Sequence, residues 1–176
     1  EFRRVLFRSN ANCGGVFATS VESDAAIEES RRAAAEFTGS LPEEIAFGPN
    51  ATTLQFHLAH AVARTLAPGD EIITTELDHD SNVAQWLLVA QDHGLVVRQA
   101  RLDPADGTLD LDHLASLIGD RTRIVAFTLA SNHMGTVTPI DDVVRLAHDA
   151  GALAWGDAVH YAPPVVDLGQ LSKSLE

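Results

Sequence analysis

A carboxylate and an imidazole follow the last apolar run of the sequence. The run ALAWG covers residues 152–156, Asp157 comes directly after it, and His160 lies three residues further on. An apolar run of this length predicts a buried strand. Because burying a carboxylate without a partner is costly, Asp157 predicts either a strand tip that solvent reaches or a positive charge bound at that tip.

A second polar segment, GPNATT at residues 48–53, precedes an amphipathic stretch. Asn50, Ala51 and Thr52 fall at the predicted start of a helix. The free N–H groups of a helix start, together with a hydroxyl group, can bind an anion such as phosphate. The alternative is that Asn50 or Thr52 only caps the helix.

Two further loops carry groups that could act on a ligand. His79 lies between Asp78 and Asp80 in the segment ELDHDSN. It could stack on a flat ligand, ligate a metal or lie on the surface. Asn132 directly follows the most strand-like run of the chain, and its alternative role is to form a turn.

The elements that would position these loops alternate between helix and strand. Strands are predicted at 44–48, 71–77, 95–102, 123–131 and 152–156. Helices are predicted at 24–37, 52–66, 81–94, 109–119 and 139–151, the first with Ser23 as its N-cap and Gly39 as its stop. This alternation predicts an α/β fold with three layers, α/β/α, around a mostly parallel sheet. In such sheets ligands bind beyond the carboxyl ends of the strands, where these loops are expected.

Composition excludes several classes of protein. The 176 residues are 45% hydrophobic and 21% charged, which is typical of a globular domain. The net charge of −13 argues against binding to nucleic acid or to an anionic membrane. No apolar run reaches the roughly 18 residues of a membrane span, and no signal peptide opens the chain. The single cysteine, Cys13, excludes a disulfide framework, and the cytoplasm is the predicted compartment.

The two ends of the sequence are interpreted separately. The opening nonapeptide EFRRVLFRS, residues 1–9, has neither helical nor strand periodicity and resembles a translated cloning adapter, so it is excluded from the fold prediction. We expect one partial domain over residues 10–171. Residues 172–176 are expected to be a truncated or non-native end.

Six segments, taken together and in this order, resemble the class V aminotransferase family of pyridoxal 5′-phosphate enzymes, and within it the cysteine-desulfurase-like branch. The similarity covers about residues 10–168. The stretch from Asn10 to Ser20 also recurs in that branch. The six segments are FGPNATT, ELDHDSNVAQW, DGTLDLDHL, TRIVAFTLASNHMGTVTPI, LAHDAGALAWGDAVHYAP and VDL.

The resemblance implies a fold and a cofactor. The fold is part of the large domain of the aspartate aminotransferase-like, pyridoxal-phosphate-dependent transferases. The resemblance further implies an enzyme that acts on an amino acid and is a homodimer in its full-length form. The cofactor is an electron sink that works best with a protonated ring nitrogen.

The resemblance also implies a role for each candidate side chain. Asp157 would pair with the ring nitrogen, and His79 would stack on the ring and relay protons. His160 and Asn132 would approach the phenolic oxygen of the cofactor. The Ala51 N–H group and the Thr52 hydroxyl group would bind the phosphate.

Two departures from the family pattern concern catalysis. In the family, the lysine that bonds the cofactor follows a histidine some two dozen residues beyond the aspartate. The only lysine of this chain, Lys173, lies in LSKSLE and lacks that histidine. The mobile-loop cysteine of a desulfurase would also lie further along the chain. The resemblance therefore predicts a fragment that is inactive by itself.

Two other functions compete with this interpretation. One is a metal-dependent hydrolase in which His79, Asp157, His160 and either Asp78 or Asp80 are the ligands of one divalent ion. His57 and His60 share one face of a predicted helix, but no third ligand accompanies them. The other is a non-catalytic α/β binding module, although neither GxGxxG nor GxxxxGK[ST] follows any predicted strand.

Overall fold

The computed structural model describes residues 12–162, which form two compact units, residues 12–46 and residues 47–162. The first unit is built on helix α1, Ala18–Thr38, and a short 3₁₀ turn, Pro42–Glu44. Helix α1 ends at Gly39, whose φ of 73° is left-handed and whose N–H group donates to the Ala35 carbonyl oxygen. Gly39 therefore stops the helix, as predicted from the sequence.

The second unit alternates helices and parallel strands. Strand β1 is Glu71–Thr75, β2 is Val96–Ala100, β3 is Thr122–Thr128 and β4 is Leu153–Asp157. Helix α2 is Ala51–Ala63, α3 is Ala84–His93, α4 is Leu111–Leu117 and α5 is Ile140–Asp149. A 3₁₀ turn, Asp80–Asn82, precedes α3.

The strands form one four-stranded parallel sheet in the order β2-β1-β3-β4. The chain moves from β1 outward to β2, returns past β1 to β3 and then continues to β4 on the other side. The direction of the connections thus reverses between β1 and β3, and such a switch point opens a crevice at the carboxyl ends of the strands. Because crossovers are right-handed, opposite directions place α3 and α5 on opposite faces of the sheet. This is the predicted three-layer α/β/α architecture.

One face of the sheet packs against α2 and α3. Its buried core joins residues of these two helices to Ile72 of β1 and to Ile124 and Ala126 of β3. The ring centroids of Trp86 and Trp155, on α3 and β4, lie 5.0 Å apart in an edge-to-face arrangement. This core anchors the strands whose ends carry the candidate residues.

Strand β4 forms one edge of the sheet. Within residues 12–162 it pairs only with β3, with Thr128 opposite Asp157 at its carboxyl end. Leu153 and Gly156 of this strand are exposed. The edge strand therefore ends in the carboxylate that the sequence singled out.

The structure corrects three sequence predictions. Residues 44–48 do not form a strand: Ile45 is extended, but no described strand pairs with this segment, and a strand needs a hydrogen-bonding neighbour. Ser23 is not an N-cap, because helix α1 begins at Ala18 and the Ser23 hydroxyl donates inside the helix to the Thr19 carbonyl oxygen. The helix predicted from residue 81 is a 3₁₀ turn followed by α3.

None of the helices among the described residues is both long enough and apolar enough to cross a membrane.

Candidate cofactor site

The beginning of helix α2 provides backbone donors at the carboxyl edge of the sheet. The Asn50 side chain accepts a hydrogen bond from Thr53 N at 2.8 Å, so Asn50 is the N-cap. The N–H groups of Ala51 and Thr52 belong to the first turn and have no acceptor inside the helix. The two alternatives drawn from the sequence are thus compatible: Asn50 caps the helix, and the donors before Thr53 stay available for an anion.

Asp157, at the end of β4, is a buried carboxylate with only neutral hydrogen-bond donors. Its Oδ1 accepts from Val159 N at 2.9 Å and its Oδ2 from Gln55 Nε2 at 3.1 Å. Its exposed fraction is 7%. Among the ion pairs of the described residues, none involves Asp157. Its negative charge is therefore free to match a cationic ligand.

The hydrogen bonds of His79 fix the position of its ring proton. His79 Nδ1 accepts from Ser81 N at 3.1 Å and lies 2.8 Å from Ser81 Oγ. A backbone N–H group can only donate, so Nδ1 must be an acceptor and the neutral ring must carry its proton on Nε2. Ser81 thereby sets both the orientation and the tautomer of the exposed imidazole.

Asp78 supports the loop that carries His79. Its Oδ2 accepts from Thr75 N and Thr75 Oγ1, both at 2.8 Å, and its Oδ1 accepts from Asn82 Nδ2 at 2.9 Å. Burial raises the pKa of Asp78 to about 6 and the negative charge of Asp157 adds to this rise, against the hydrogen bonds from Asn82 and Thr75. Two carboxylates thus concentrate negative charge near the carboxyl ends of the strands.

A cavity of about 110 Å³ brings most of the predicted residues together. Ala51 and Thr52 come from the start of α2, His79 from the loop after β1, and Asp157 and His160 from the end of β4 and the turn after it. Ser81 and Val159 also line the cavity. Helix-start donors and a buried carboxylate therefore lie in the wall of one cavity.

Asn132 does not line this cavity. Its side chain is exposed in the turn that follows β3, and it is not among the residues that line this cavity. Ser131 fixes that turn, because its hydroxyl accepts hydrogen bonds from His133 N and Met134 N at 3.3 and 3.2 Å. The described structure thus does not place Asn132 among the residues that line the cavity.

Sequence reasoning missed Gln55. This residue is 8% exposed, and its amide contacts a carboxylate 102 residues away in the sequence. The only local signal was its spacing of four residues from Ala51, which places both on one face of α2. The hydrogen bond from Ser81 N to His79 Nδ1 was also not predicted from the sequence.

The donor set does not favour a metal site. In the part of the chain that the structure describes, no group of three or more His, Cys, Asp or Glu side chains could hold a metal ion. His57 and His60 are both exposed on α2. The metal-dependent hydrolase is therefore not the function that this geometry favours.

A parallel α/β sheet with a helix start and a carboxylate at the carboxyl ends of its strands has the architecture of the pyridoxal-phosphate-dependent transferase fold. The model of the class V aminotransferase family matches residues 3–165, and the chain belongs to this family.

Curated relatives and solved structures agree with this assignment. The cysteine desulfurase of Haloferax volcanii is 34% identical over 152 residues, which cover 85% of this chain and 35% of that protein. The cysteine desulfurase of Yersinia pestis is 39% identical over 145 residues, covering 81% of this chain and 36% of that protein. The apo structure of a cysteine desulfurase from Thermococcus onnurineus NA1 has a TM-score of 0.84 and 29% identity, over 96% of this chain and 42% of that one. The chain thus spans little more than a third of the two curated relatives.

Proposed function

We propose that this chain is the cofactor-binding part of a pyridoxal 5′-phosphate-dependent enzyme that acts on an amino acid. The observation that carries the proposal is the cavity that joins the first N–H groups of α2 to the buried Asp157 carboxylate. A phosphorylated pyridine carries a dianionic phosphate and a ring nitrogen that can be protonated. The cavity wall offers the complementary groups, which are backbone donors and a carboxylate that forms no ion pair among the described residues.

The side chains of the cavity would hold the cofactor in distinct ways. Ala51 N–H and the Thr52 hydroxyl group would bind the phosphate, and Asp157 would keep the ring nitrogen protonated. His79, with its proton on Nε2, would lie against the ring, and His160 would bind the phenolic oxygen. The family resemblance gives the same role to Asn132, which does not line the cavity in the described structure. When bound, the cofactor supplies an electron sink for carbanion chemistry at the amino acid.

The finer points of the proposal are supported by the family resemblance alone. The curated relatives are named cysteine desulfurases, so a lyase or transferase acting on a sulfur-containing amino acid is the favoured activity of the full-length protein. A cytoplasmic homodimer is the favoured assembly. The only lysine, Lys173, lies outside the described residues and lacks the family's preceding histidine, so we propose that the chain alone does not turn over substrate.

Binding of pyridoxamine 5′-phosphate tests the proposal, because this form of the cofactor needs no lysine. The purified chain is titrated with pyridoxamine 5′-phosphate, NAD and ATP, and its metal content is measured. We expect saturable binding of one pyridoxamine 5′-phosphate per chain and, for Asp157→Asn, affinity weaker by on the order of tenfold. Preferential binding of NAD or ATP, or a stoichiometric divalent metal, would contradict the proposal.

A further inference from the structure

Gln55 connects two elements that line the candidate cavity, helix α2 and the end of β4. It lies on α2, one helical turn after Ala51, and its Nε2 donates to Asp157 Oδ2 at 3.1 Å. Ala51 and Asp157 both line the cavity. One hydrogen bond therefore ties the helix whose start would bind the phosphate to the carboxylate that would face the ring nitrogen.

The chemistry of Gln55 leaves the charge of Asp157 intact. An arginine or lysine at this position would neutralise the carboxylate and compete with a cationic ligand. A glutamine amide fixes the carboxylate through a hydrogen bond without supplying a charge. With Val159 N bound to the other oxygen, both carboxylate oxygens are held by neutral donors, which defines the plane of the group.

The orientation of the Gln55 amide follows from the same contact. Its carbonyl oxygen Oε1 is buried and has no hydrogen-bond partner in the structure. Rotating the amide by 180° would place Oε1 against the ionised Asp157 oxygen, so Nε2 must face the carboxylate. A buried acceptor without a partner costs stability. The fold bears this cost at Gln55, whose side chain forms a hydrogen bond only with Asp157 among the described residues.

We propose that Gln55 is a positioning residue that aims the Asp157 carboxylate at the ring nitrogen of the cofactor. This inference rests on the proposed function, since it needs a pyridine ring in the cavity. Gln55 itself does not line the cavity. Its effect on the affinity for the cofactor is therefore exerted through Asp157 and must depend on the ring nitrogen.

The test compares pyridoxamine 5′-phosphate with its 1-deaza analogue, in which a C–H group replaces the ring nitrogen. Dissociation constants are measured for the wild-type chain and for Gln55→Leu. The matched control is Gln85→Leu, because Gln85 is also buried in a helix with an unpaired Oε1 but does not contact Asp157. We expect Gln55→Leu to weaken the binding of pyridoxamine 5′-phosphate on the order of tenfold and the binding of the deaza analogue by less than about twofold. Gln85→Leu should leave the ratio of the two constants unchanged.

Three results would overturn the role of Gln55. In the first, Gln55→Leu weakens the binding of both ligands equally. In the second, it weakens the binding of neither. In the third, Gln85→Leu shows the same selective loss of pyridoxamine 5′-phosphate binding. Gln55→Asn, which withdraws the donor by one methylene, provides a second variant and should show the same selective loss. Failure of both Gln55 variants to fold would assign the residue to stability alone.

The same measurements separate this inference from the proposed function. A folded wild-type chain that does not bind pyridoxamine 5′-phosphate would count against the cofactor site itself. A wild-type chain that prefers the nitrogen-containing ligand, with an unchanged preference in Gln55→Leu, would count against Gln55 only.

Discussion

Trp86 packs edge-on against Trp155, with ring centroids 5.0 Å apart and an angle of 83° between the ring planes. Trp86 is fully buried on α3, and Trp155 stands two residues before Asp157 on β4. The pair therefore connects the helical layer to the strand that presents the carboxylate. Both tryptophans of the sequence belong to this pair, so tryptophan fluorescence reports on the surroundings of these two rings.

Trp86→Ala should lower the free energy of unfolding by about 3–5 kcal/mol, because it removes a large buried ring and leaves a cavity. Urea unfolding followed by circular dichroism measures the change. The control is Leu87→Ala, the next residue on the same helix, whose side chain is 53% exposed and whose loss should change stability by less than about 0.5 kcal/mol. Equal effects of the two variants would contradict the described packing of α3.

Asp78 should make the stability of the chain depend on pH in a defined window. Its pKa in the folded state is raised to about 6 from an ordinary value of 3.8, so protonation favours the folded state. The resulting stabilisation is complete below about pH 4 and is lost as the pH rises through about 6. At about 1.4 kcal/mol per pKa unit, the loss is on the order of 2–3 kcal/mol.

The measurement is the free energy of unfolding of the wild type minus that of Asp78→Asn, from pH 4 to pH 8. This difference should fall between pH 4 and 6 and then stay constant. Asp80→Asn, at an exposed position two residues away, is the matched comparison variant. A flat difference for Asp78→Asn would mean that the Asp78 carboxyl group titrates normally.

The ring tautomers of two histidines should be opposite. His79 Nδ1 accepts from Ser81 N, which requires the proton on Nε2, whereas His60 Nδ1 lies 2.8 Å from the Phe56 carbonyl oxygen, which can only accept and requires the proton on Nδ1. Long-range nitrogen-to-carbon-bound-proton NMR spectra, recorded at a pH where both rings are neutral, distinguish the two forms. A protonated Nδ1 in neutral His79 would rule out the hydrogen bond from Ser81 N to that atom.

Thr52 should contribute to binding only through the phosphate. Thr52→Val should weaken pyridoxamine 5′-phosphate on the order of tenfold and leave the weak binding of unphosphorylated pyridoxamine unchanged, because only the former presents an anion to the start of α2. Thr65→Val is the control, since the Thr65 hydroxyl donates to the Val62 carbonyl oxygen at the far end of the helix. Comparable losses for both ligands would place Thr52 against another part of the cofactor.

The sequence predicted the fold well where the signal was local. Apolar runs located β1 to β4, and glycine located the end of α1, because each depends on the chemistry of neighbouring residues. The predicted strand at 44–48 was wrong because strand formation depends on a partner that its own residues do not encode. Ser23 was wrong as a cap because α1 extends back to Ala18 without any side-chain cap.

The residues of the candidate site also divide into those that the sequence predicted and those that it did not. The rule that ligands bind at the carboxyl ends of parallel strands directed attention to Asp157 and His79, and both line one cavity with Thr52. Gln55 could not be found this way, because a glutamine inside an amphipathic helix is ordinary until a residue 102 positions away is placed beside it. The roles of these four residues towards a cofactor stay predictions.

The edge position of β4 has a consequence for how this sheet behaves in solution. Within residues 12–162, one whole side of that strand offers peptide donors and acceptors to no neighbour, and such a border is a template onto which another strand can add. A strand added at this border would lie beside β4, whose last residue is Asp157. Self-assembly through this border should therefore increase with protein concentration, and dilution should keep the chain monomeric.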